Sequence, residues 1–98
     1  MDQISAFIGV LSEHRCYIRV SKSGSGDDLY PDSITLVNEN HDPFPVTFGG
    51  LRYFPLSMPA RIFAQLLREH VIELYRRDGY GLEFYRLSLA AKVGGEPV

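Results

Sequence analysis

The longest regular pattern of apolar and polar positions runs from Pro59 to Arg77. Projected at about 100° per residue, Ile62, Phe63, Leu66, Leu67, Val71, Leu74 and Tyr75 fill one broad apolar arc. Arg61, Gln65, Arg68 and Arg76 lie opposite it. Pro59 suits a helix start, and Asp78-Gly79 supplies a stop. Arg76 and Arg77 would then face the negative helix end. The spacing predicts one long helix over 59–77, with His70 on its apolar arc and Ile72 on its polar side.

Alternation with a period of two marks the strands. Over 15–21, Cys16, Ile18 and Val20 share one face, while Arg15, Tyr17 and Arg19 share the other. Residues 33–38 predict a second strand, with Ile34 and Leu36 on one face. Short extended pieces follow at 46–48 and 51–54, separated by Gly49-Gly50. Over 82–90 the apolar phase slips after Phe84, which predicts a strand carrying a bulge or buried on both sides, with a helix as the alternative. Residues 2–12 fit both periods; Ile4, Phe7, Ile8 and Leu11 favour a short helix capped by Asp2. The Gly/Ser-rich run at about 22–28 reads as a flexible loop, 39–45 as a proline-bearing turn, and about 92–98 as a frayed tail.

The predicted architecture is therefore a single α+β domain over 1–98. A small, mostly antiparallel sheet packs on the long helix 59–77, beside a possible short N-terminal helix. One helix covers one face of such a sheet. The other face is left to solvent, to residues 2–12, or to a partner.

Composition refines this picture. The chain has 98 residues, 45% hydrophobic and 22% charged, the balance of a folded chain with one modest core. Its net charge of −2 argues against a nucleic-acid coat protein. Charge is uneven: 23–50 carries five acids and no base, whereas the flanking segments are slightly basic. A lone cysteine, Cys16, forbids an internal disulfide and any multi-cysteine metal site. No signal peptide and no run long enough to cross a membrane is seen, so a cytoplasmic address without membrane association is expected.

No arrangement of residues specifies catalysis, a cofactor or a metal. His14 and Cys16, two apart on an extended chain, are too far apart for an activated thiol, and Cys16 shares its face with Ile18 and Val20. The adjacent Ser12, Glu13 and His14 carry no weight, because triads assemble from distant positions. The 22–28 run lacks the phosphate-loop pattern, and Asp27, Asp28 and Asp32 lack calcium-loop spacing.

The surface chemistry that stands out is eight Arg against two Lys, together with six Tyr and six Phe. Tyr and Arg are enriched at the centres of protein interfaces. Arg15, Tyr17 and Arg19 are expected on one sheet face, extended by Arg52, Tyr53, Tyr85 and Arg86 if the strands pair that way. The expected function is a non-enzymatic protein-binding module: a small adaptor, inhibitor or chaperone-like subunit. Its partner is another protein or a second copy in a homodimer. A nucleic-acid-binding accessory protein is the alternative, and the acidic middle segment argues against it. A small enzyme using a histidine base ranks third.

Overall fold

The computed structural model describes residues 3–23, 30–79 and 81–88. Chain order is α1 (Gln3–Glu13), β1 (Tyr17–Ser23), β2 (Tyr30–Val37), β3 (Val46–Phe48), β4 (Leu51–Tyr53), α2 (Ala60–Arg68), β5 (Ile72–Arg77) and β6 (Leu82–Leu87). The class is α+β, as the alternation predicts. Strands β2-β1-β6-β5 form a four-stranded antiparallel sheet in that order, and β3-β4 form a separate two-stranded one. β1 runs through Lys22 and Ser23, so these two belong to a strand and not to the expected loop; the rest of that loop and the tail at 92–98 lie outside the described residues. Asp2, the expected cap of α1, lies outside them as well.

The single long helix is not formed. α2 ends at Arg68, after nine residues, because the chain closes it there. His70 takes φ 58°, and its N–H donates to the Leu67 carbonyl at 3.0 Å. The Val71 N–H donates to the Leu66 carbonyl at 2.9 Å. This pair of bonds, around a left-handed residue, is the Schellman helix stop. Beyond it the β-branched pair Val71-Ile72 enters a strand, where such side chains lose least. Ile72 is therefore buried rather than on a polar helix side, and His70 is exposed in the turn rather than in an apolar arc.

α1 and α2 pack together on one face of the large sheet. Phe7, Val10 and Leu11 from α1 and Ile62, Phe63 and Leu66 from α2 meet Cys16, Ile18, Val20, Ile34, Leu36, Ile72, Tyr85 and Leu87 in one core cluster. The β3-β4 hairpin turns on Gly49 and Gly50, both at positive φ as a tight two-residue loop demands. It joins the core through Val46 and through Phe48, whose ring lies 4.6 Å from that of Phe7. The free edge of β2 is covered: the Leu36 N–H donates to Leu56 and the Met58 N–H to Ile34. Both described helices thus serve one face, and among the described residues the opposite face of β2-β1-β6-β5 receives no helix.

Candidate outer-face interface

The register fixes what that outer face carries. Cross-strand partners share a face. Ile18 and Val20 are fully buried in the core, so Tyr17 and Arg19 point outward. Arg19 lies opposite Thr35 on β2 and Phe84 on β6, and Phe84 lies opposite Arg76 on β5. The row across the sheet therefore reads Thr35, Arg19, Phe84, Arg76. Glu73 and Arg86 are partners in the neighbouring row.

A bulge in β5 adds the next component. Leu74 pairs with Tyr85 and Arg76 with Phe84, so Tyr75 has no partner of its own. Its ring stacks on Tyr17, with centroids 4.5 Å apart and planes 6° from parallel. The Arg86 guanidinium lies 5.1 Å from the Tyr75 ring centre, within cation–π range. Nε and Nη2 of Arg86 both donate to Glu73 Oε2 at 3.2 Å. The Tyr17 phenol is pushed above its ordinary value, first by its side-chain hydrogen bond to Tyr75.

The segment after β2 folds over this face. The Asn38 side-chain oxygen accepts from the N–H groups of Asn40 and Asp42, and the Asn38 carbonyl accepts from His41. His41, at φ 67°, is thereby turned onto Phe84, with ring centroids 4.2 Å apart. Its ring also meets Tyr17 edge-on at 5.7 Å. Thr35, Val37 and Phe84 are buried although no described helix covers them. Tyr17, His41, Tyr75 and Arg86 remain at least partly open to solvent.

The structure thus brings Tyr17, Arg19 and Arg86 together, as expected. Arg15 stands at the margin, just before β1, with its side chain 91% exposed and 3.7 Å from Glu39. A groove of about 600 Å³ opens there between the end of α1 and the sheet, lined in part by His14, Arg15, Tyr17 and Arg86. Three expected members fall elsewhere. Arg52 and Tyr53 belong to β4, whose sheet does not join the large one. Tyr85 points into the core, where Phe63 meets its ring edge-on at 4.9 Å. Its phase follows Ile18, its partner across the ladder. The sequence reading passes over His41, Tyr75, Arg76 and Phe84. The alternation of Ile72 and Leu74 around Glu73 is the signal that finds β5; no local signal places His41 on Phe84.

A second polar cluster sits inside the fold. The Glu83 side chain is 7% exposed and receives Lys22 Nζ at 2.8 Å, Arg77 Nε at 2.9 Å and the Tyr85 hydroxyl at 2.9 Å. Burial pushes its carboxyl up, but the hydrogen bonds from Lys22, Tyr85 and Arg77 outweigh this and hold it below its ordinary value. The same burial, with the bond to Glu83, pushes Tyr85 up to about 12. Both carboxylate oxygens are engaged, so this cluster reads as internal bracing of β1, β5 and β6.

The Cys16 thiol is buried, and desolvation pushes it up to about 12, the reverse of what a nucleophile needs. His14 is exposed, with its ring 5.5 Å from that of Phe44. Among the described residues no three His, Cys, Asp or Glu side chains gather to hold a metal, and no helix is long and apolar enough to cross a membrane. Compared with family models, curated proteins and solved structures, the chain finds no match.

Proposed function

We propose that this chain is a non-enzymatic protein-binding module, an adaptor, inhibitor or chaperone-like subunit, that contacts its partner through the outer face of the large sheet. The observation that carries this reading is the Tyr17–Tyr75 stack with Arg86 against it, on a face that no described helix covers. Tyr and Arg offer large contact area with few rotors to freeze, and mutual stacking freezes them before any partner arrives. Their charge is also partly settled in advance, since Arg86 already holds Glu73. The lone, free, buried thiol is compatible with the reducing cytoplasm, the compartment that goes with this reading.

The test is differential capture from native lysate with quantitative mass spectrometry. The Tyr17→Ala/Tyr75→Ala chain is compared with the parent, and circular dichroism serves as the folding control. Proteins held by the parent and lost from the variant support the face as the contact surface. An identical captured set from two equally folded chains overturns it. Capture dominated by nucleic acid, falling steeply as salt rises, overturns it in favour of the nucleic-acid reading.

A further inference from the structure

Two arginines on this face are left without an anion among the described residues. Arg19 and Arg76 flank Phe84 from β1 and β5, and among the described residues neither has a carboxylate within ion-pair distance. Two of the carboxylates nearby are otherwise engaged, while that of Asp42, exposed beside His41, enters no ion pair among the described residues. Glu73 is held by Arg86, and Glu39, whose field reaches Tyr17, lies beside Arg15. Among the described residues, the cations of this face without an ion pair are Arg19 and Arg76, one on each side of the His41–Phe84 stack.

Resting on the reading above, we propose that the partner segment is acidic and extended, with carboxylates at alternate positions that pair with Arg19 and Arg76. Strands lie about 4.8 Å apart, so the two arginine Cα atoms, two strands apart, are separated by about 10 Å. An extended chain presents every second side chain to the same surface at about 6.6 Å intervals, or about 13 Å for every fourth. Arginine side chains leaning toward or away from Phe84 meet either spacing. Each guanidinium offers a planar fork that matches a carboxylate with two parallel bonds. Between the charges, His41 stacked on Phe84 gives the intervening side chains an aromatic floor, and the Tyr17–Tyr75 pair continues it in the neighbouring row.

The probe is a fluorescein-labelled peptide of alternating Glu and Thr, titrated with the full chain and read by anisotropy at about 0.15 M salt. The Gln-Thr counterpart, a phosphoserine peptide and a single-stranded oligothymidylate are run beside it. Binding of the Glu-Thr peptide, weakened about tenfold or more by Arg19→Gln or Arg76→Gln, is the expected result. Reversing both charges (Arg19→Glu with Arg76→Glu) transfers preference to a Lys-Thr peptide. Equal binding of the Gln-Thr peptide, or unchanged affinity in both Gln variants, overturns the proposal. Tighter binding of the phosphopeptide or the oligothymidylate also overturns it, as does capture of no peptide because the chain self-associates through this face in sedimentation. If lysate capture still depends on Tyr17 and Tyr75 while the acidic peptide fails, the contact face stands and only its acidic partner falls.

Discussion

Tyr17 and Tyr75 lie ring on ring, 4.5 Å apart, because one strand carries an extra residue. Without the bulge at Tyr75, strict alternation from Glu73 would put position 75 outward opposite Phe84. Arg76 would then turn inward. The bulge keeps Arg76 outward and slides Tyr75 along the face onto Tyr17.

The stack is expected to contribute a coupling of about 0.5–1.5 kcal/mol beyond the area the two rings bury. A double-mutant cycle with Tyr17→Ala and Tyr75→Ala, read by urea unfolding, measures it. A coupling indistinguishable from zero would mean that the two rings do not hold each other in solution.

The end of α2 supports two predictions. Leu66 is 1% exposed, whereas Leu67 is only half-buried. Leu66→Ala is expected to cost about 2–5 kcal/mol, and Leu67→Ala distinctly less. In a continuous helix over 59–77 both would sit well inside the arc, so nearly equal losses would contradict the shorter helix.

His70 provides the sharper test of the same stop. At φ 58° a histidine carries a steric penalty that glycine does not. His70→Gly is expected to leave stability unchanged or raise it by up to about 1 kcal/mol. The same substitution inside a helix would lower it by a similar amount. Thermal or urea unfolding gives the sign directly.

That stop shows where sequence reading succeeded and where it failed. Strands β1, β3 and β4 and the 33–37 part of β2 follow from alternation and from Gly49-Gly50, because strand period and tight-turn chemistry are local properties, whereas Tyr30–Asp32 join β2 through pairing with Lys22 and Ser23 despite Pro31. α1 follows from the helical spacing of Ile4, Phe7, Ile8 and Leu11, and Phe7 and Leu11 share its buried face. The 59–77 helix failed because Leu66, Leu67, Val71, Leu74 and Tyr75 satisfy the helical period whether or not the chain breaks between them. What decides against the helix is non-local: β6 offers β5 a ladder of hydrogen bonds. The candidate face is legible in the sequence only in its β1 half for the same reason. Tyr17 and Arg19 follow from one strand, whereas Arg76, Phe84 and His41 depend on which strands become neighbours.

Cys16 is expected to be silent toward thiol reagents in the folded protein. The thiolate is the reactive form, and burial pushes the thiol up to about 12. At pH 8 modification should therefore wait on unfolding, and adding urea should bring the rate to that of an ordinary exposed cysteine. Fast labelling of the folded chain would show that the core around Cys16, Ile18 and Val20 opens in solution.

Glu83 gives the fold an acid-sensitive brace. Its carboxyl lies below the ordinary value of 4.5 in the folded chain, so the unfolded chain binds the proton more readily. The contribution to stability is therefore fully present above pH about 4.5 and is lost as pH falls through the lower folded value. Glu83→Gln keeps the shape but removes the charge that Lys22 and Arg77 share. Both cations stay partly in water, which limits the penalty of leaving them unpaired, and a loss of about 1–3 kcal/mol at pH 7 is expected. Unfolding midpoints taken from pH 7 down to pH 3 should converge: the parent loses stability on acidification through this group, and the variant has no such proton to bind. Parallel curves for the two chains across that range would show that Glu83 is not the carboxylate through which acid loosens β1, β5 and β6.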